Sequence, residues 1–189
     1  MHARFPWDLL SGAHIGAEGP GLLEPPLSLL QRVLLTADGN VGRILENYAG
    51  EPIEAVKLEQ FSAPFGEEIH ALELGADDER LSRRVILRGV TTGRNLLYAE
   101  SLIAVARLHP MVRSGLLSTS EPIGRLLSTV RAETFREILS SSRTPAAAVS
   151  VHFDVGETDE VFVRTYRIIS GGHPLMLITE KFPTTWFLS

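Results

Sequence analysis

Residues 166–182, YRIISGGHPLMLITEKF, constrain this chain more than any other stretch: they spell a strand, a Gly-Gly turn and a second strand. Strands joined so tightly must pair antiparallel. RLSRRVILRG (80–89) and NLLYAESLIAV (95–105) repeat the pattern around Thr91-Thr92-Gly93-Arg94. VGRILENY (41–48) and PIEAVKLEQF (52–61) read as a further pair joined by Ala49-Gly50-Glu51. In the second of these, the Val56–Leu58 set is more apolar than the alternate positions and is expected to face inward.

Helical spacing marks the rest. Leu27, Leu30, Val33 and Leu34 predict a helix over 25–36, with Pro25 and Pro26 in its first turn. Residues 107–142 read as three helices: LHPMVRSGLLS, EPIGRLLS (121–128) and AETFREILSSS (132–142), the last with Glu133 and Arg136 at i, i+3. Residues 62–79 read as a connection with a short strand at 69–74, and 143–160 as a loop. The fold class is therefore α+β: a single antiparallel sheet of about six strands with helices on one face. One domain spans 1–189, with the Gly- and Pro-rich residues 1–21 as an N-terminal arm.

A net charge of −5 argues against a nucleic-acid footprint and leaves an anionic small molecule open as a ligand. The absence of cysteine removes disulfides, thiolate metal sites and cysteine nucleophiles. No run resembles a signal peptide or a membrane span, so a cytoplasmic protein without a membrane partner is expected.

Two charged residues interrupt apolar rows. Arg83 shares a strand face with Val85 and Leu87, whereas Arg84 faces the other way with Ile86 and Arg88. A guanidinium on an apolar face needs a partner, because unpaired burial is costly. A protein carboxylate is the commoner partner, an anionic ligand the alternative. Glu180 follows Met176 and Ile178 on one face and poses the same problem; it transfers protons in a site, or it is a strand-end carboxylate that emerges into water or pairs with Arg83, Arg164 or Arg167, which is the commoner case. Glu100, on the same strand face as Tyr98 and Leu102, is a third candidate. Arg164 and Arg167 otherwise define a second anionic subsite or, as is commoner for such residues, solvate the last hairpin. The six histidines are dispersed without metal-ligand spacing, so no metal is expected. Ser101 and Ser170 lie outside a nucleophile-elbow context, and neither GVTTGRN nor SGGH has the form of a phosphate loop.

RRVILRG, LLYAESLIA, EPIGRLLS and YRIISGGHPLMLITEKF, preceded by LLTADGNVGRILE, resemble in order and spacing the chorismate pyruvate-lyase family, over about residues 27–183. The resemblance implies a single sheet with helical flaps over an internal ligand cavity. It implies cofactor-free removal of enolpyruvate from chorismate, giving 4-hydroxybenzoate and pyruvate. By the family's motifs, Arg83 would hold the ligand carboxylate and Glu180 would meet the ring oxygen at the far end. Backbone contacts would come from near Asn40 and near Ile123. Gly42, before Arg43, departs from the threonine or lysine common among relatives. The resemblance leaves two other readings: a cyclase or isomerase of secondary metabolism on the same scaffold, and a non-catalytic ligand-binding module. Against the second, the residues before the first expected helix are too few for the winged DNA-binding domain that normally accompanies such modules.

Overall fold

The computed structural model describes residues 27–63 and 69–188. The expected N-terminal arm, Pro25 and Pro26 lie outside the described residues, as does part of the 62–79 connection.

Helix α1 (Leu29–Thr36) opens on a capping box, in which Ser28 Oγ accepts from the Gln31 N–H and the Gln31 side chain accepts from the Ser28 N–H. The Gln31 amide, buried, also donates to the carbonyls of Thr184 and Trp186, both at 2.8 Å. The chain's C-terminal segment is thereby tied to its first described helix.

Residues 41–48 are not a strand. They form helix α2 (Val41–Ala49), with Asn40 as its N-cap and Gly50 ending it in the left-handed conformation at φ 67°. Val41, Ile44, Leu45 and Tyr48 recur at i, i+3, i+4 and i+7, and that helical period prevails over the apparent alternation.

Strands β1 (Ile53–Ala63), β2 (Arg80–Gly89) and β3 (Asn95–Ala104) follow, then α3 (Pro110–Ser118) and α4 (Ile123–Thr129). Residues 132–142 are the second correction. Instead of a helix they lie in β4 (Thr134–Pro145), an edge strand paired along its length with β5 (Glu160–Ser170). Cross-strand pairing there overrides the helix propensity of Ala, Glu, Arg and Leu. Between β4 and β5, residues Ala147–His152 make a 3-10 turn within the expected loop. Another, His70–Leu72, lies where a short strand was expected, leaving only an Ile69–Leu74 bridge. Strand β6 (His173–Pro183) closes the chain.

The six strands form one antiparallel sheet in the order β1-β2-β3-β6-β5-β4. All four helices cover the same face. Near one end, Leu34, Leu35, Val41 and Leu45 from α1 and α2 pack on Leu87, Leu97, Phe162 and Phe182. Toward the other, Val112, Leu116, Leu126 and Leu127 from α3 and α4 pack on Leu81, Ile103, Ile168 and Met176. The opposite face is covered by the loop before β5 and by the His70–Leu72 turn.

The inward set of β1 is Ile53 and Ala55, not Val56 and Leu58. Leu58 is the extra residue of a bulge between Lys57 and Glu59, and it points to solvent at 43% exposure. The Ala55 N–H donates to the Ser120 carbonyl at 2.8 Å, and Lys57 Nζ reaches the Leu117 carbonyl at the end of α3 at 3.0 Å. These bonds fasten the helical insertion to the sheet's edge. No helix among the described residues is long and apolar enough to cross a membrane.

Candidate active site

Between the two helix-covered cores lies a concave cavity that opens to solvent on one side. Its floor is the sheet: Ala55, Arg83, Val85, Ala99, Ser101, Ile178 and Glu180. Its rim is made by Asn40, Val41 and Gly42 at the start of α2, and by Pro122, Ile123 and Gly124 at the start of α4. Tyr166, Ile168 and Arg136 form the wall on the β5–β4 side.

Arg83 is 1% exposed, yet none of its three guanidinium nitrogens finds a hydrogen-bond partner among the described residues. Its cross-strand neighbours, Gln60 and Ser101, are neutral. Burial alone pulls its pKa down to about 10, so the side chain remains a cation at neutral pH. A charge kept this deep without a counter-charge marks a place for an anion.

Glu180 has its partners. Arg164 Nη2 donates to Oε2 at 2.7 Å, and the Tyr166 hydroxyl donates to Oε1 at 3.0 Å. Strand register produces this cluster, because Arg164 lies directly across from Glu180 and Tyr166 directly across from Ile178. Arg164 is wholly buried and does not solvate the hairpin. It donates to the carbonyls of Leu34 and Ala37 at the end of α1, and its guanidinium carbon lies 4.7 Å from the Tyr166 ring centre. Burial, and then the Glu180 charge, hold the Tyr166 phenol far above its usual range, so it acts only as a neutral donor. Each Glu180 oxygen keeps a second acceptor position for a ligand hydroxyl.

Of the residues singled out in the sequence, Arg83, Glu180, Asn40 and Ile123 all line this one cavity. Glu100 does not. It lies on the opposite face of the sheet, where its Oε1 accepts from the Tyr98 hydroxyl at 2.6 Å and lies 4.0 Å from Arg84 Nε. Arg167 is also elsewhere, paired with Glu137 at 2.5 Å. Two cavity residues, Tyr166 and Arg136, escape the sequence reading, and Arg164 figures there as one of three possible partners of Glu180. Arg164 and Tyr166 share a strand row with Phe162 and Ile168, an alternation that marks them as inward. Arg136 was hidden by the helical reading of its segment.

The rim is tightly fitted. A Cβ on Gly124 would lie 2.6 Å from Asn40 Oδ1, and one on Gly42 would lie 3.2 Å from the same atom. Gly42 thus leaves room for the α2 cap. Gly124→Val is expected to displace Asn40 from the cap at a cost of about 1 kcal/mol. For a chain of this length that lowers Tm by roughly 2–4 °C. A calorimetric scan showing no change would mean that the amide can step aside without loss.

A family model described as chorismate pyruvate-lyase, Rv2949c-like, matches residues 35–188. A chorismate pyruvate-lyase of Mycobacterium tuberculosis is 29% identical over 155 residues, covering 80% of this chain and 78% of that protein. One from Mycobacterium leprae is 29% identical over 152 residues, covering 80% and 72% respectively. Among solved structures, PhnF from Mycobacterium smegmatis superposes with a TM-score of 0.61 at 8% identity, over 78% of this chain and 65% of that one. The ligand-binding domain of a GntR-family regulator from Bordetella bronchiseptica gives 0.59 at 15% identity, over 70% and 86%. At such identities these two structures speak for a common fold alone.

Proposed function

We propose that this chain, which belongs to the Rv2949c-like chorismate pyruvate-lyase family, removes enolpyruvate from chorismate without a cofactor, giving 4-hydroxybenzoate and pyruvate. The observation that carries the reading is the unpartnered Arg83 guanidinium, buried in the same cavity as the held Glu180 carboxylate. Chorismate carries a ring carboxylate at one end and a ring hydroxyl at the other. In this reading Arg83 binds the carboxylate as a fork. Glu180 accepts a hydrogen bond from the hydroxyl, and Val85, Ala99 and Ile178 lie against the ring.

The chemistry asks little beyond orientation. The proton on the hydroxyl-bearing carbon is lost, and the neighbouring carbon–oxygen bond breaks. The ring becomes aromatic, and the leaving enolpyruvate takes up a proton at its methylene carbon to become pyruvate. Aromatisation supplies the driving force, so the protein gains rate by holding the ring in the reactive conformer and by countering charge on the departing oxygen.

Incubating the purified protein with chorismate alone, and resolving the products by chromatography, tests the proposal. Equimolar 4-hydroxybenzoate and pyruvate above the uncatalysed rate is the expected result. No turnover, with 4-hydroxybenzoate still bound, would replace the lyase with a ligand-binding module of the kind found in the regulators that share this fold.

A further inference from the structure

We infer that Arg136 is a second anion-binding residue of the cavity, taking the carboxylate of the enolpyruvyl group and thereby selecting dianionic ligands. The inference rests on the lyase reading for the identity of that group. Its physical basis is the charge balance of the walls. Glu180 and Arg164 cancel each other. Arg83 has no counter-charge. Arg136, the other cation lining the cavity, spends one N–H on the Asp38 carbonyl at 3.2 Å, and no carboxylate among the described residues pairs with it.

The cavity therefore presents two uncompensated guanidinium groups. A ligand with one carboxylate would leave the second bare, whereas a ligand with two matches both.

Position agrees with charge. Arg136 lies on β4 directly across from Ile168, on the face that carries Tyr166. Its charge is felt at the Tyr166 phenol, which donates to Glu180. Arg83 is on β2, with three strands between β2 and β4. The two cations thus approach the cavity from opposite sides of Glu180. On chorismate, the enolpyruvyl oxygen is borne by the carbon next to the hydroxyl-bearing one. A hydroxyl held at Glu180 with the ring carboxylate at Arg83 leaves the enolpyruvyl arm to extend toward the β5–β4 wall. The tie to Asp38 sets the guanidinium beside the turn that leads to Asn40.

The test compares two stable ligands by calorimetry. One is 4-hydroxybenzoate, a single carboxylate; the other is 3-(carboxymethoxy)-4-hydroxybenzoate, which carries a second carboxylate on the neighbouring ring oxygen and cannot eliminate. The wild-type protein is expected to prefer the dianion by about 10- to 100-fold, as a charge-assisted contact implies. Arg136→Gln should lose that preference while binding 4-hydroxybenzoate within about threefold of wild type. Arg136→Lys, which keeps the charge and loses the fork, should retain part of it, and it serves as the variant if the glutamine form does not fold. Equal preference in wild type and both variants would overturn the inference, as would a parallel loss of both ligands. The two readings fail separately. A preference abolished in Arg136→Gln without chorismate turnover by wild type sinks only the lyase. Turnover with an unaltered KM and preference in the variant sinks only the role of Arg136.

Discussion

Arg83→Met is expected to abolish ligand binding and at the same time to raise the melting temperature of the free protein. The two effects have one cause. The guanidinium is buried without a counter-charge among the described residues, so the unliganded fold carries a cost that the ligand removes. Burial pulls its pKa down from the ordinary guanidinium range to about 10. A base whose folded pKa is depressed destabilises the fold fully at pH below the folded value. The cost is relieved as pH rises from about 10 toward the ordinary guanidinium range. At neutral pH the shift corresponds to roughly 3 kcal/mol of destabilisation, and methionine, similar in length and uncharged, removes it. A rise of several degrees is therefore expected, at roughly 2–4 °C per kcal/mol.

Affinity moves the other way. Truncating one member of a buried, hydrogen-bonded charge pair costs about 2–5 kcal/mol, so 4-hydroxybenzoate should bind the variant about 30- to several thousand-fold more weakly. Saturating ligand would raise Tm for the wild type and not for the variant. Benzoate affinity in the wild type should hold steady through neutral pH and decline above about pH 10, as the cation is lost. A variant that melts lower and still binds would make Arg83 a structural residue and remove it from the site.

That balance was only half legible in the sequence. The alternation in RRVILRG placed Arg83 on an apolar face, because a strand's period of two depends on nothing beyond the strand itself. What the alternation could not supply was the partner. The same argument applied to Glu180, and there the protein supplies Arg164, across a register that only the hairpin's actual pairing defines. One interrupted row is thus balanced internally and the other is not. Sequence reasoning favours an internal ion pair for Arg83 and, for Glu180, a strand-end carboxylate that meets water or pairs with an arginine.

The misread elements fail for a related reason. Segment 41–48 is short, and its helical character rests on its caps, Asn40 and Gly50, the second of which the alternating reading places in a turn between strands. Segment 134–145 has helix-favouring residues and polar side chains on both faces. Only its pairing with β5 makes it a strand, and that pairing is a long-range fact. The strand count came out at six because these two errors cancel. The second had a consequence for the site, since a helical Arg136 turns toward Glu133, whereas an extended one turns into the cavity.

Glu180→Gln should slow turnover of chorismate by about 10²- to 10⁴-fold, the range for losing a positioned acid–base or acceptor group, with KM much less affected. Glutamine keeps an oxygen for the Tyr166 hydroxyl but removes the charge opposite Arg164. Arg164 is wholly buried and would retain only the Leu34 and Ala37 carbonyls. Breaking a buried pair from one side costs about 3–5 kcal/mol, so this variant should melt lower than wild type, opposite in sign to Arg83→Met. Arg164→Met should destabilise by a similar amount by stranding Glu180. The double variant Arg164→Met/Glu180→Gln should recover part of that loss, since neither charge then remains, giving a coupling energy of order 1–3 kcal/mol in the cycle. The recovery separates structure from chemistry: stability returns in the double variant and turnover does not. If turnover returned along with stability, Glu180 would be no more than the counter-charge that keeps Arg164 in place. The group acting on the substrate hydroxyl would then be sought elsewhere on the cavity wall.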